Sequence, residues 1–137
     1  MVSKQSISVL GGGNTAFSAA ADLTLKGFEV TLYELPEFDD SLESIRDDRE
    51  IHLLGVAEQG VAKIHNVTSD IVEAITASDV LLVIVPAYAH RRFAEVCAPH
   101  LMDGQTIVLM PGNLGTLEWA RILKESSKAD NGLLRKT

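Results

Sequence analysis

Along the 137 residues, short apolar runs alternate with stretches whose apolar residues recur at helical spacing, and glycine or proline stands at most of the junctions. The run SISVL at residues 6–10 is stopped by glycine, residues 14–26 are rich in Ala and Leu without proline, and Gly27 follows. That pattern predicts a strand, a tight turn and a helix. FEVTLY, residues 28–33, alternates and is rich in β-formers, so a second strand is expected there, with Glu34 at its carboxyl end. Residues 37–49 read as a second helix, since Glu37, Asp39 and Asp40 sit in its first turn and Arg46 and Arg49 in its last, matching the helix dipole. Between Ile51 and His65 two short apolar stretches around glycines suggest a hairpin or two irregular strands.

The alternation then resumes. Residues 69–77 are expected as a short helix capped by Ser69, and residues 80–85 as a strand that is apolar at every side chain, as in a strand buried on both faces of a parallel sheet. Pro86 ends it. A helix from Tyr88 to about Ala98, stopped by Pro99, leads to QTIVLM at 105–110, read as a second strand apolar on both faces. The turn Pro111 to Asn113 and a last amphipathic helix, LGTLEWARILKES, follow. Repeated strand–helix alternation with fully apolar strands predicts an α/β fold: a Rossmann-type doubly wound, mainly parallel sheet with helices on both faces, in three layers. Residues 1–137 are expected to form one domain of this kind.

Composition narrows the partners. The formal charge is −7, and the only adjacent basic pair in the interior is Arg91–Arg92, which argues against nucleic acid or an anionic membrane because either asks for a basic stripe. Cys97 is the single cysteine, so no internal disulfide is possible. No secretory pattern opens the chain, and the longest apolar run, Val80 to Val85, is far too short to span a bilayer. A small soluble ligand and a cytoplasmic setting are expected.

The turn after the first strand carries the chemistry. Gly11, Gly13 and Ala16 fit G-x-G-x-x-G/A between a strand and a helix, the context in which that pattern binds a dinucleotide. The first glycine makes the turn, the second admits a diphosphate to the main chain, and the small third residue lets the helix lie close to the strand. The helix amino end favours an anion. Gly11, Gly12, Gly13, Asn14, Thr15 and Ala16 are therefore the candidate diphosphate site. Asn14 is read equally as a helix cap or as a diphosphate contact. Glu34, at the tip of the next strand, suits the two hydroxyls of an adenosine ribose. With Glu37, Asp39 and Asp40 nearby and no basic residue until Arg46, a 2′-phosphate would be repelled, so NAD is expected over NADP. Glycine turns of this kind also serve other nucleotides, coenzyme A among them.

Other conspicuous residues have plainer readings. His90 is taken as a surface or supporting residue of its helix in preference to a general acid. His52, His65 and His100 have no ligand spacing with cysteines or acids, so no metal is expected. Cys97 reads as a small core residue, Phe17 and Trp119 as packing, and Arg91 and Arg92 as a solvated helix face, with contact to a substrate carboxylate or to phosphates as the alternative.

Three segments together, GGGNTAFSAAADLTLKGFEVTLYE, LLVIVPAYAH and VLMPGNLGTLEWARIL, resemble the opine (octopine and nopaline) dehydrogenases, relatives of glycerol-3-phosphate dehydrogenase and ketopantoate reductase. The likeness runs over nearly the whole chain. It implies an amino-terminal domain that holds NAD(P)H, with Val85, Pro86 and Ala87 beside the nicotinamide ribose and Tyr88 and His90 near the cleft. The turn containing Asn113 would lie on the same sheet edge. The activity implied is reduction of an imine, formed by an amino acid and a 2-oxo acid, by hydride from the cofactor. In that family a second, mainly helical domain supplies the catalytic histidine, and it is expected to be absent from this chain. The chain is thus expected to bind cofactor, to have no catalytic residue of its own, and to work as a homodimer or with a separate catalytic chain. A different class, a stand-alone regulatory domain sensing NAD or coenzyme A, fits the length.

Overall fold

The computed structural model describes residues 5–55, 59–110 and 115–129, with side chains to residue 126. Five strands form one parallel sheet: β1 (Ser6–Leu10), β2 (Glu29–Tyr33), β5 (Asn66–Thr68), β6 (Val80–Ile84) and β7 (Thr106–Met110), in the order β5-β2-β1-β6-β7. A separate antiparallel hairpin pairs β3 (Glu50–Leu53) with β4 (Gly60–Lys63). The helices are α1 (Asn14–Leu25), α2 (Ile71–Thr76), α3 (His90–Cys97) and α4 (Gly115–Ala129). From β1 the chain winds outward to β2 and β5, then returns to lay β6 on the other side of β1. This is the doubly wound arrangement, and the gap between the carboxyl ends of β1 and β6 is its switch point.

Period-2 alternation sorts the strand residues into two cores. Leu10, Tyr33, Leu81 and Val83 point to the face covered by α2, α3 and α4, where Ile75, Phe93, Cys97 and Trp119 are buried. Val9, Val30, Leu32 and Ile84 point to the opposite face, covered by α1 and the hairpin, with Ala16, Ala20, Ala21, Ile51 and Ala62. Ser8, fully buried on the first face, donates its hydroxyl to the Ala74 carbonyl at 2.6 Å and so ties β1 to α2.

Several elements depart from the sequence expectation. Residues 37–49 are not one α-helix: Pro36–Ile45 forms 3₁₀ turns broken at Phe38 (φ −125°, ψ 18°), and Arg49 lies beyond them with φ 58°. Asp39, Asp40 and Ser41 are poor helix formers, which works against a continuous α-helix here. Ser69 does not cap the following helix. Asp70 does, its carboxylate accepting from the N–H groups of Val72 and Glu73 at 3.0 and 3.4 Å. β5 was not expected at all, being three residues long. The stretch after β6 opens with a 3₁₀ turn at Ala87–Ala89, and α3 starts only at His90. β7 is buried on one face alone: Ile107 and Leu109 pack inward, while Val108 and Met110 are 39 % and 44 % exposed. It is the edge of the described sheet, and α1 does not reach across to it. No helix among the described residues is long and apolar enough to cross a membrane.

Candidate functional site

The three glycines at the end of β1 have three different reasons to lack a side chain. Gly11 has φ +136°, and a Cβ there would collide with the Ile84 carbonyl of β6; its N–H donates to the Tyr33 carbonyl of β2 at 2.8 Å. It therefore closes the sheet at the switch point. At Gly12 a Cβ would run into the Glu34 carboxylate and the Ser41 hydroxyl. At Gly13 a Cβ would meet nothing within 4 Å, so the space in front of this residue is open to a ligand.

Gly13, in extended backbone, is the N-cap of α1, with no side-chain cap and no acidic residue in the first turn. Asn14 is the first helical residue, so its reading as the cap is corrected; the cap position falls one residue earlier. The first N–H groups of α1 are left without a side-chain acceptor, and with the dipole they favour an anion. Ala16, 1 % exposed, sits in the core with Val9 and Ile84, where its small size lets the helix start lie on the sheet.

Glu34 continues β2 and is only 8 % exposed. Its Oε1 accepts the Leu35 N–H at 2.8 Å, and the Gly12 N–H is a second donor. Burial raises its pKa above the ordinary 4.5; the two N–H groups oppose that shift and Glu37 adds to it. An ionised carboxylate has acceptor capacity for about four hydrogen bonds, so the two backbone donors leave room for hydroxyl donors from a ligand.

These groups meet in one cleft of about 1070 Å³. Gly12, Gly13, Asn14, Thr15 and Ala16 form one wall, Glu34, Glu37 and Phe38 another, and Val85, Pro86, Tyr88 and Arg92 the third. Gly11 lies behind the turn and Ala87 outside the lining; Asn113 falls outside the described residues. His90 is corrected: it is 2 % exposed and does not line the cleft. Its Nδ1 accepts the Trp119 indole N–H at 3.2 Å, and its ring packs against the Gly115 position, so it joins α3 to α4. As the first residue of α3 it turns toward α4 and away from the cleft. Cys97 is fully buried in the core, its thiol pushed up to about 12 by burial, unsuited to nucleophilic work.

The two arginines separate. Arg91 pairs along its own helix with Glu95 at 3.0 Å, whereas the Arg92 Nε donates to Glu37 Oε1 at 2.8 Å, across to the segment after β2. Successive helical residues point about 100° apart, so one faces solvent and the other the cleft. Tyr88 and Glu37 line the cleft where they were expected near it, and Arg92 takes the alternative reading of the arginine pair; Phe38, 59 % exposed, is the cleft residue that sequence reasoning missed. Helical spacing within 88–98 could have separated the arginines. Nothing in the sequence could have brought Arg92 to Glu37. A second groove, about 400 Å³, runs between β7 and α4, away from the glycine turn. Among the described residues no group of three or more His, Cys, Asp or Glu stands together as a metal site.

Open space at Gly13, an uncapped helix start and a gripped carboxylate suit the diphosphate and ribose of a dinucleotide. Comparison with known proteins agrees in kind. A family model described as NAD-dependent glycerol-3-phosphate dehydrogenase N-terminus matches residues 6–117. The chain is 35 % identical over 127 residues to an opine dehydrogenase of Arthrobacter sp. (strain 1C), covering 92 % of this chain and 35 % of that one. It is 35 % identical over 103 residues to glycerol-3-phosphate dehydrogenase [NAD(P)+] 2 of Lactobacillus delbrueckii subsp. bulgaricus, covering 74 % and 29 %. A solved octopine dehydrogenase with NADH and pyruvate superposes with a TM-score of 0.76 at 23 % identity, over 90 % of this chain and 34 % of that one, a likeness of fold. The chain spans about a third of the length of the curated relatives it matches.

Proposed function

The chain belongs to the family of NAD-dependent glycerol-3-phosphate dehydrogenase N-termini, and from that premise we propose that it is the cofactor-holding domain of an opine-dehydrogenase-like oxidoreductase. One observation carries the reading: the uncapped start of α1, with nothing in front of Gly13, opens onto the same cleft as the Glu34 carboxylate. The N–H groups at Gly13, Asn14 and Thr15 would hold the diphosphate, and Glu34 would accept from the adenosine ribose hydroxyls. Val85 and Pro86, at the end of β6, would border the nicotinamide half. When bound, the reduced nicotinamide supplies a hydride, in this reading to the carbon of an imine made from an amino acid and a 2-oxo acid.

The roles left to this chain are binding, orientation and exclusion of water. We assign it no catalytic acid or base: His90 is buried between α3 and α4, and the proton donor for the imine would come from outside these residues. NAD is preferred to NADP because Glu34 and Glu37 share the wall where a 2′-phosphate would lie. We further place the protein in the cytoplasm, and at work as a homodimer or with a catalytic chain.

Parallel calorimetric titrations of the 137-residue protein with NADH, NADPH and coenzyme A test the reading. Binding of NADH in preference to the other two is expected. Binding of coenzyme A with no response to NADH would replace the dehydrogenase reading with a nucleotide sensor of another kind.

A further inference from the structure

We propose that the Glu37–Arg92 pair sets which cofactor the cleft accepts, Glu37 occupying the one guanidinium that would otherwise bind a 2′-phosphate. This rests on the dinucleotide reading above and adds a specificity residue to it. Arg92 is the only lysine or arginine lining the cleft among the described residues. Arg46, the nearest basic residue in sequence after Glu34, is engaged by Asp39 at 3.4 Å and Glu43 at 3.7 Å and does not line the cleft. Arg92 instead crosses from α3 to the segment that follows Glu34, its Nε donating to Glu37 Oε1 at 2.8 Å. Both side chains are about half exposed, 52 % and 40 %, so a ligand can reach them.

The chemistry follows from charge and shape. Guanidinium presents a planar fork of five donors that matches phosphate as well as carboxylate. Glu37 uses Nε, and no described residue bonds the two terminal nitrogens. While Glu37 holds the group, a 2′-phosphate would face two carboxylates, Glu34 and Glu37, with one cation already paired. With the Glu37 charge removed, the same cation stands beside the ribose end of the cleft with nothing to neutralise it, and only Glu34 opposes a phosphate. Adenosine with one phosphate does not ask for Arg92, so its binding should be indifferent to the pair.

The half-ligands 5′-AMP and 2′,5′-ADP isolate the 2′ position. Each is titrated into the wild-type chain, Glu37→Gln, Glu37→Ser and the double variant Glu37→Gln/Arg92→Ala, with thermal melts as the folding control. Wild type should bind 5′-AMP more tightly than 2′,5′-ADP. Both single variants should bind 2′,5′-ADP about tenfold more tightly than wild type does, the scale of one charge-assisted contact, with 5′-AMP changed less than about threefold. The double variant should lose the gain. No gain in the single variants, or a gain that survives loss of Arg92, overturns the proposal while leaving dinucleotide binding intact, provided NADH and 5′-AMP still bind. Failure of NADH and both half-ligands to bind any of the four proteins overturns the dinucleotide reading and this proposal together.

Discussion

The glycines of the turn make separable demands, and substitution distinguishes them. Gly11→Ala places a Cβ against the Ile84 carbonyl in a backbone conformation that L residues rarely adopt. It should cost on the order of 2 kcal/mol or more, read as a fall of roughly 5 °C or more in Tm. Gly13→Ala meets no protein atom and should melt like wild type while losing NADH affinity; equal affinity in that variant would mean that no ligand approaches there. Glu34→Ala should weaken NADH about tenfold or more, the value of a charge-assisted hydrogen bond. The raised pKa of Glu34 adds a pH signature. The folded chain holds this proton more tightly than the unfolded chain, so the stabilising effect is full below the ordinary 4.5 and is lost as pH rises through the raised pKa. Ribose hydroxyls favour the ionised form, so NADH should bind with release of a proton in that window and more weakly as pH falls through it. Calorimetry in two buffers of different ionisation enthalpy counts the proton, and Glu34→Gln should remove it. This carboxylate was legible in the sequence because its place depends only on the strand it ends; the crowding against Gly12 that buries it was not.

At the scale of elements, the longer strands and helices followed from period, while the three-residue β5, the caps and the short turns did not. The run of β6 announced itself, since a strand apolar at every position has nothing polar to disguise it, and β2 showed itself by alternation and β-forming residues. The segment after β2 misled because its charges mimic dipole-matched helix ends, whereas its Asp and Ser residues have low helix propensity. α2 gives a direct test. Asp70→Ala removes the acceptor for two backbone N–H groups and should cost about 1 kcal/mol. Ser69→Ala should cost far less, because the Ser69 hydroxyl is buried with no hydrogen-bond partner among the described residues. Comparable losses in urea unfolding would reassign the cap to Ser69. His90 carries the same lesson: the family resemblance put it near the cleft, but the start of α3 turns it onto Trp119.

For the whole molecule, the described sheet stops at β7, whose sequence TIVLM has no charge or proline to discourage pairing and whose outer face exposes Val108 and Met110. Such an edge invites another strand, and we expect a second copy to supply it. Sedimentation equilibrium at high concentration should give a mass above that of one 14.8 kDa chain, and Val108→Lys should lower it; a strictly monomeric wild type would remove the homodimer. The sequence by itself determined the strand–helix alternation, the glycine turn and the acid that follows it, because each depends on residues near one another in the chain. Only the tertiary structure decided that Arg92 meets Glu37, that His90 serves α4, and that β7 has an open face. Those contacts join segments far apart in sequence, and local periodicity carries no information about which distant side chains the folded sheet brings together.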